Sequence, residues 1–231
     1  MASRRDPFEA RTVVSRRGGA VKQPLSRERI VDRALEILTR DGLDEMSLRK
    51  VAAALDTGPA SLYVYVADIG ELHALMLDRA LGQVDVRMTS RAGWRRRLQR
   101  LLESYVEVLS ASPGLARLAF GTRAVGPNSL RIVEALLGIL EEAGVDRATS
   151  AWAVDLLLLH STALVAEHAV GPDPVEPEGP LARAIARASE ADYPRIHAGR
   201  SELLAGSPGQ RFTWAIDVIV NGVLQTPARP R

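Results

Sequence analysis

Apolar residues recur at helical spacing from near the start of the chain onward. Ile30, Ala34 and Ile37 share one face of a segment that follows Ser26 and ends at Gly42. Apolar residues three or four positions apart lie on one side of a helix, serine is favoured just before a helix, and glycine just after one. The pattern therefore predicts a first helix between Ser26 and Gly42.

Two shorter helices are predicted directly after the first. Ser47 is placed to cap the second helix, and Gly58-Pro59 ends it and begins the third, because proline is best tolerated in a first turn. Asp68 and Glu71 have the spacing of a capping box in front of a longer fourth helix. Isolated helices this short are marginal in water, so they are expected to stabilise one another.

The remaining chain is predicted to be helical almost throughout. Apolar spacing, together with the glycines and prolines that interrupt it, places further helices at residues 94–110, 114–120, 128–143, 146–170, 181–189 and 210–225. Residues 171–180 contain four prolines and are predicted to be irregular, because proline removes a backbone donor. No segment alternates apolar and polar residues as a half-buried strand does, so the predicted fold class is all-α.

Composition and charge are those of a folded protein. Of the 231 residues, 46% are hydrophobic and 25% are charged, so wholesale disorder is not expected. The absence of cysteine excludes a disulfide framework and a thiolate metal site, and it fits a cytoplasmic location. Residues 151–170 are almost long enough to cross a membrane, but Asp155, His160 and Glu167 interrupt them, which favours a buried helix of a soluble bundle and no membrane.

Positive charge is concentrated at the start of the chain. The net charge is only +2, yet the first 25 residues carry six basic residues against two acidic ones. Because this segment has no apolar period, residues 1–25 are predicted to be a flexible basic arm. Some arms of this kind enter the minor groove of DNA and others are simply disordered starts, and both possibilities remain open here.

Three short helices joined by tight turns are typical of a helix-turn-helix. A plain three-helix bundle would give the same apolar pattern, so the pattern alone does not decide between DNA binding and a structural role. The residues are more specific: "ILTRDGLDEMSLRKVAAALDTGPASLYVYVADIGEL" resembles the N-terminal domain of the TetR family of bacterial transcription regulators, with a match from Ser26 to about Leu77. The matching features are the Gly-Leu turn, the serine-capped second helix and the Leu-Tyr pair followed two residues on by an aromatic residue. The segment "RFTWAIDVIVNGVLQ" also resembles the last helix of the tetracycline-repressor subgroup.

The resemblance implies a set of DNA-binding residues. Ser47 would hold a phosphate, and Arg49 would reach a guanine edge in the major groove, which suits the forked guanidinium; a solvated surface arginine is the alternative. The small residues that start the third helix would face bases, and two tyrosines would contact phosphates. The full set is Ser47, Arg49, Lys50, Gly58, Pro59, Ala60, Ser61, Tyr63 and Tyr65. Family members usually carry lysine where this chain has Ile69, which puts that phosphate contact in doubt.

The resemblance also implies a homodimer that reads a near-palindromic DNA operator. The last helix supports a dimer because it is apolar on two sides, with Phe212 and Ile216 in one stripe and Trp214 and Val218 in another. One side would pack within the chain and the other across the dimer axis. Helix 146–170 has the same character, so the two helices are expected to form a four-helix interface with their symmetry mates.

A ligand pocket is expected among the middle helices. Its candidate lining residues are mainly apolar and would suit a small, mainly apolar effector, although each of them taken singly is more typical of ordinary core. They are Tyr105, Leu109, Leu118, Phe120, Leu136, Leu140, Leu156 and His160. No metal or cofactor is expected, because His160 and His168 lie eight residues apart on one helix, too far for a single ion.

These observations divide the chain into four parts: a basic arm at 1–25, a helix-turn-helix DNA-binding domain at 26–72, a helical ligand-binding and dimerisation domain at 73–226, and a tail at 227–231. The predicted function is sequence-specific transcription regulation, and repression relieved by an effector is the family's commoner habit. The alternative is a helical ligand-binding protein or an enzyme without specific DNA recognition. The sequence contains no phosphate-binding glycine loop, cysteine nucleophile or Ser-His-acid spacing, so enzymatic activity is not expected.

Overall fold

The computed structural model describes residues 7–8, 24–87, 92–170 and 179–229. These residues form twelve α-helices and no β-strand, which confirms the all-α fold class. The helices are α1 Arg27–Asp41, α2 Leu48–Ala54, α3 Pro59–Leu62, α4 Ile69–Leu81, α5 Trp94–Leu109, α6 Pro113–Gly121, α7 Pro127–Glu142, α8 Arg147–Val170, α9 Pro180–Arg187, α10 Pro194–Ala198, α11 Arg200–Leu204 and α12 Pro208–Gln225. The predicted helices are all present. α10 and α11 were not predicted, because helices of five residues are too short to show a period.

Caps and a shared core hold α1, α2, α3 and the start of α4 together, and these helices are called the N-terminal domain below. The side chains of Ser26, Ser47 and Asp68 accept hydrogen bonds from backbone N–H groups in the first turns of α1, α2 and α4. Gly42 ends α1 with a φ of 83°, a left-handed conformation that favours glycine. Fully buried side chains of these helices meet in one core, to which Ile30, Ile37, Leu38, Leu62 and Leu72 belong. This shared core stabilises α2 and α3, which are too short to be stable alone.

α8 is the central helix of the rest of the chain, from the end of α4 to α12, which is called the C-terminal domain below. It packs against α5, α6, α7 and α12, and Ala153, Leu157 and Val165 are buried in these contacts. By length and composition alone α8 is apolar enough to cross a membrane. Its packing against four other helices is that of a core helix in a helical bundle.

Two helices connect the N-terminal domain to the C-terminal domain. α4 extends from one domain into the other, where Leu77 and Leu81 are buried. α6 packs directly on α1, and a methyl group at Gly114 would lie 2.9 Å from Leu38 Cδ1, so the absence of a side chain permits this close approach. One continuous cluster of buried side chains therefore runs from α1 to α12.

Most of the predicted arm and of the proline-rich segment lies outside the described residues. Within the arm, Pro7 and Phe8 are described, and Phe8 packs against the main core, so the expectation of a flexible arm does not hold at these two residues. Of residues 171–180, only Gly179 and Pro180 are described, and Pro180 is the first residue of α9. α9 and α10 both pack against α11, which makes these three helices a small extension between α8 and α12.

Candidate nucleic-acid interface and ligand cavity

The start of α3 faces outward because buried side chains hold its other end. Leu62 and Val66 are fully buried, whereas Pro59 and Ala60 are exposed and Ser61 is half-buried. α2 and α3 pack against each other, so the predicted DNA-binding residues lie on two adjacent helices. The start of α3 can offer a base edge one hydroxyl group and small apolar contacts.

The turn between α2 and α3 depends on Asp56. Asp56 has a φ of 52°, a left-handed conformation that aspartate adopts more readily than most residues. Thr57 N donates a hydrogen bond to Ala52 O over 3.0 Å and closes the turn. Gly58 has an ordinary φ of −80° and serves as the N-cap of α3, in front of Pro59, so α3 begins where the sequence predicted.

Arg49 and Lys50 are neighbours on α2 but differ in their surroundings. Arg49 is exposed, and its side chain has no ion pair within the part of the chain that the structure describes. Lys50 Nζ lies 2.9 Å from Asp41 Oδ2 and 3.5 Å from Glu45 Oε2, and the hydrogen bond to Asp41 raises the pKa of Lys50. Two carboxylates therefore already compensate the charge of Lys50, whereas the guanidinium of Arg49 is available to a base or a phosphate.

The predicted phosphate contacts differ in exposure. Ser47 Oγ accepts a hydrogen bond from Lys50 N over 3.2 Å as the cap of α2, which leaves its hydroxyl proton for an acceptor outside the helix. Tyr63 is 55% exposed, and Tyr65 is half-buried. Ile69 packs against the core, so the residue at the family's usual lysine position contributes packing instead of charge.

A cavity of about 690 Å³ lies between α4, α5, α6, α7 and α8. Its wall combines apolar side chains with polar ones, which include Arg123, Ser129 and Asp155. Tyr105 also lines it, and Tyr105 Oη lies 2.7 Å from Thr162 Oγ1. Burial raises the pKa of Tyr105, so the phenol is protonated at neutral pH and can donate a hydrogen bond. A cavity of this size, with apolar walls and a small set of polar side chains, can hold a small molecule.

Two of the eight predicted ligand residues, Tyr105 and Phe120, line this cavity. Four others are fully buried in the core and do not line it: Leu109, Leu118, Leu136 and Leu140. Their helices are apolar on more than one side, and helical spacing does not show which of these sides faces a cavity. In this structure these four leucines therefore belong to the core and not to the wall of this cavity.

The last two predicted ligand residues face α12. Leu156 lines a separate groove of about 770 Å³ between α8, α12 and the residues that follow α12. His160 stacks on Phe212 with ring centroids 6.4 Å apart, and its Nε2 is buried without a hydrogen-bond partner among the described residues. Neither residue lines the cavity, because α8 carries apolar side chains toward α12 as well as toward α6.

The cavity residues that sequence reasoning missed lie on α8 and in the loop after α6. Val154, Leu158 and Thr162 line the cavity and are four residues apart, so they form one stripe along α8. This four-residue spacing could have identified these residues in the sequence. Thr122 and Arg123 also line the cavity, but loop residues have no periodicity that would mark them.

An exposed apolar surface covers the outer side of α8 and α12. Trp152 is 59% exposed and Trp214 is 70% exposed, and Leu159 and Val218 are exposed as well. On the inner side of α12, Phe212 is buried. α12 is therefore apolar on two sides, of which one packs within the chain and the other is open. Large exposed apolar patches mark contact sites for other proteins.

The described residues contain no group of three or more side chains that could hold a metal ion. His168 Nδ1 lies 2.7 Å from Leu164 O within α8, and His160 is engaged in the ring stack with Phe212. This geometry gives no support to a metal site built on these two histidines.

Comparisons with known proteins cover both halves of the chain. A family model described as the tetracyclin repressor-like C-terminal domain matches residues 89–226. An HTH-type transcriptional regulator of Saccharopolyspora erythraea is 30% identical over 214 residues, which cover 89% of this chain and 87% of that protein. The HTH-type transcriptional repressor DrrR1 of Streptomyces coeruleorubidus is 32% identical over 128 residues, which cover 54% of this chain and 46% of DrrR1.

Solved structures with the same architecture come from Streptomyces coelicolor. The crystal structure of a transcription regulator of this organism is 44% identical, with a TM-score of 0.75, and the match covers 91% of this chain and 100% of that one. The TetR family protein ActR in complex with actinorhodin is 27% identical, with a TM-score of 0.78, and the match covers 88% of this chain and 98% of ActR.

Proposed function

Because the chain belongs to the TetR family of transcription regulators, we propose that it is a dimeric repressor that leaves its DNA operator when a small, mainly apolar effector fills the cavity. The observation that carries this proposal is the course of α4. This helix begins in the N-terminal domain, and Leu77 and Leu81 near its far end line the cavity. A molecule in the cavity therefore contacts the same helix that positions the DNA-binding surface.

The DNA-binding surface consists of the first turn of α2 and the start of α3. Arg49 hydrogen-bonds a guanine edge in the major groove, because its guanidinium is exposed and unpaired within the described part of the chain. Ser61 and Ala60 contact bases at close range, and Ser47 and Tyr63 contact phosphates. Of the assigned residues, Lys50 contributes least to DNA binding, since two carboxylates already compensate its charge.

The partner of the exposed apolar surface is a second copy of the chain. Trp152, Leu156 and Trp214 are exposed on α8 and α12, and a two-fold contact between these helices would bury all three in both copies. Two copies present two α3 helices to DNA, which requires a near-palindromic operator with half-sites about one DNA turn apart. The protein acts in the cytoplasm, by binding and without catalysis.

The effector acts by displacing α4. Its binding in the cavity changes the separation of the two N-terminal domains and weakens the operator complex, and the operator must weaken effector binding by the same factor. Actinorhodin, which is bound in the ActR structure, is the first molecule to test by calorimetry with and without operator. An effector that binds equally tightly to the free protein and to the operator complex would contradict this scheme.

Selection of bound sequences from random duplex DNA tests the proposal. The full-length protein is compared with a shortened chain that starts at Lys22, and with Arg49→Ala. Arg131→Ala is the control, because Arg131 is an exposed arginine on α7. We expect the full-length and the shortened chain to enrich the same palindromic motif. Arg49→Ala should lose base preference at one position per half-site, and Arg131→Ala should select the same motif as the wild type.

Enrichment by the full-length chain alone would show that residues 1–21 are needed for recognition, either by contact with DNA or by positioning the DNA-binding surface. Absence of any enrichment at low salt by a folded dimer would contradict the proposal. The logarithm of the operator association constant should also fall linearly with the logarithm of the salt concentration, with a slope of about −0.9 per neutralised phosphate.

A further inference from the structure

Phe8, which precedes the N-terminal domain, contacts the loop that leads into α7. Phe8 is half-buried and packs against the main core. A methyl group at Gly126, the N-cap of α7, would overlap both the Phe8 ring and the carboxylate of Asp78. The Phe8 ring and the Asp78 carboxylate of α4 therefore both lie directly against Gly126.

Asp78 of α4 caps α7 from outside that helix. Gly126 has no side chain with which to cap α7, and Asp78 Oδ1 accepts hydrogen bonds from the backbone N–H groups of Asn128 and Ser129, both over 3.0 Å. Asp78 is almost fully buried, so these hydrogen bonds are shielded from water. Ser129 lines the cavity and donates from its hydroxyl to Ala124 O over 3.1 Å. The cavity wall, the first turn of α7 and α4 are thus joined by hydrogen bonds.

Arg27 joins the same junction to the DNA-binding surface. Arg27 Nη1 donates to Pro7 O over 3.0 Å, and Arg27 Nε donates to Tyr65 O over 3.3 Å. Arg27 also lies 3.7 Å from a carboxylate oxygen of Glu71 at the start of α4. A continuous path therefore leads from the loop at Gly126 through Phe8, Pro7 and Arg27 to the backbone of Tyr65.

We propose that Pro7 and Phe8 are positioning residues that couple the cavity to the DNA-binding surface, in addition to α4. Residues 121–124 and Ser129 belong to the cavity wall, so a molecule that moves this wall moves the backbone against which Phe8 packs. The hydrogen bonds of Arg27 then change the position of Tyr65. Pro7 and Phe8 act through other residues and contact neither the operator nor the effector. This inference rests on the proposed function, because it requires an operator.

Operator DNA itself is the probe, since coupling between two sites is reciprocal. Hydrogen–deuterium exchange is followed by mass spectrometry in the peptide that spans residues 122–130, for the full-length protein with and without its selected operator. We expect the operator to slow exchange in the wild type by about fivefold or more, within the usual range of coupling between sites. In Phe8→Ala the slowing should fall to about twofold or less, while Phe8→Leu, which retains an apolar side chain, should keep most of the effect.

Two further variants separate the contact from other effects of the arm. A chain that lacks residues 1–6 loses Arg4 and Arg5 but keeps Pro7 and Phe8, and it should behave as the wild type. Gly126→Ala displaces the Phe8 ring and also crowds the carboxylate of Asp78, so it should reduce the slowing at least as much as Phe8→Ala does.

Equal slowing in the wild type, Phe8→Ala and Gly126→Ala would overturn the inference and leave the proposed function intact. A loss of the effect on removal of residues 1–6 would also overturn it, because the charge of the arm would then be responsible. A wild-type chain that selects no operator would contradict the proposed function, and the inference would fall with it.

Discussion

The N-terminal and C-terminal domains differ in how their sequences relate to function. In the N-terminal domain, caps such as Ser47 and buried anchors such as Leu62 fix short helices, and the residues left exposed are the ones that can contact DNA. In the C-terminal domain, long helices are apolar on several sides, and the same residue types form the core, the cavity wall and the exposed surface. In the N-terminal domain, exposed side chains are therefore the candidates for a function. In the C-terminal domain, the candidates are the apolar helix sides that no other helix covers.

The largest effect is expected from Leu62→Ala in the N-terminal domain. Leu62 is fully buried, so its truncation should lower the free energy of unfolding by about 2–5 kcal/mol. Val64→Ala, two residues further on and exposed, is the matched control and should change stability by no more than about 0.5 kcal/mol. Urea unfolding followed by circular dichroism measures both. Equal destabilisation by the two variants would contradict the packing of α3.

A smaller effect is expected from Arg49→Ala, this time on operator affinity. Loss of a guanidinium that reads a guanine should cost about 1–3 kcal/mol of binding and relax preference at one position per half-site. Lys50→Ala should weaken binding by less, and by the same amount on every DNA sequence, because Asp41 and Glu45 already compensate its charge. Fluorescence anisotropy with operator and mutated operators distinguishes the two. A uniform loss for Arg49→Ala would make Arg49 a phosphate contact.

Tyr105→Phe tests the polar part of the cavity wall. It removes the hydrogen bond between Tyr105 Oη and Thr162 Oγ1, which are 2.7 Å apart, and should lower the free energy of unfolding by about 0.5–1.5 kcal/mol. Tyr193→Phe is the control, because Tyr193 is exposed on the extension and its change should stay within about 0.5 kcal/mol. Thermal unfolding measures both, and an unchanged Tyr105→Phe protein would show that this hydrogen bond contributes nothing to stability.

The smallest expected effect is a dependence of stability on pH through His73 of α4. Burial lowers the pKa of His73 below its usual 6.5, against a weaker opposing effect of Asp68. The unfolded chain therefore takes up a proton at a higher pH than the folded protein does, so the free energy of unfolding falls as the pH drops below about 6.5. Thermal unfolding at about pH 7.5 and about pH 5.5 measures this loss. His73→Gln should reduce it, and an identical loss in both proteins would exclude His73 as its source.

The same contrast between the domains explains what could be predicted from the sequence. Caps such as Ser26 and Asp68 are local signals, and the structure places them at helix ends as their spacing predicted. Gly58-Pro59 begins α3 as predicted, but the left-handed conformation of Asp56 in the same turn was not predicted, because aspartate occurs in many other backbone conformations.

In the C-terminal domain the residues that line the cavity were harder to predict from the sequence. Leu109 and Leu136 were expected to line a cavity and are core, while Val154 and Leu158 of α8 line it. Which apolar side of a helix faces an unfilled space depends on the packing of all its neighbours, and that information is not contained in the spacing of one helix. The contact of Phe8 with the loop at Gly126 joins residues far apart in the sequence, so it could not be predicted from local spacing either.

The central claim is that the C-terminal domain pairs two copies of the chain so that two N-terminal domains read one operator. Sedimentation of the full-length protein on the selected operator, and on a duplex that keeps only one half-site, tests it most directly. We expect two chains per operator and binding to the single half-site weaker by about 100-fold or more, as for two linked binding modules. One chain per operator, with equal affinity for the half-site duplex, would contradict the claim.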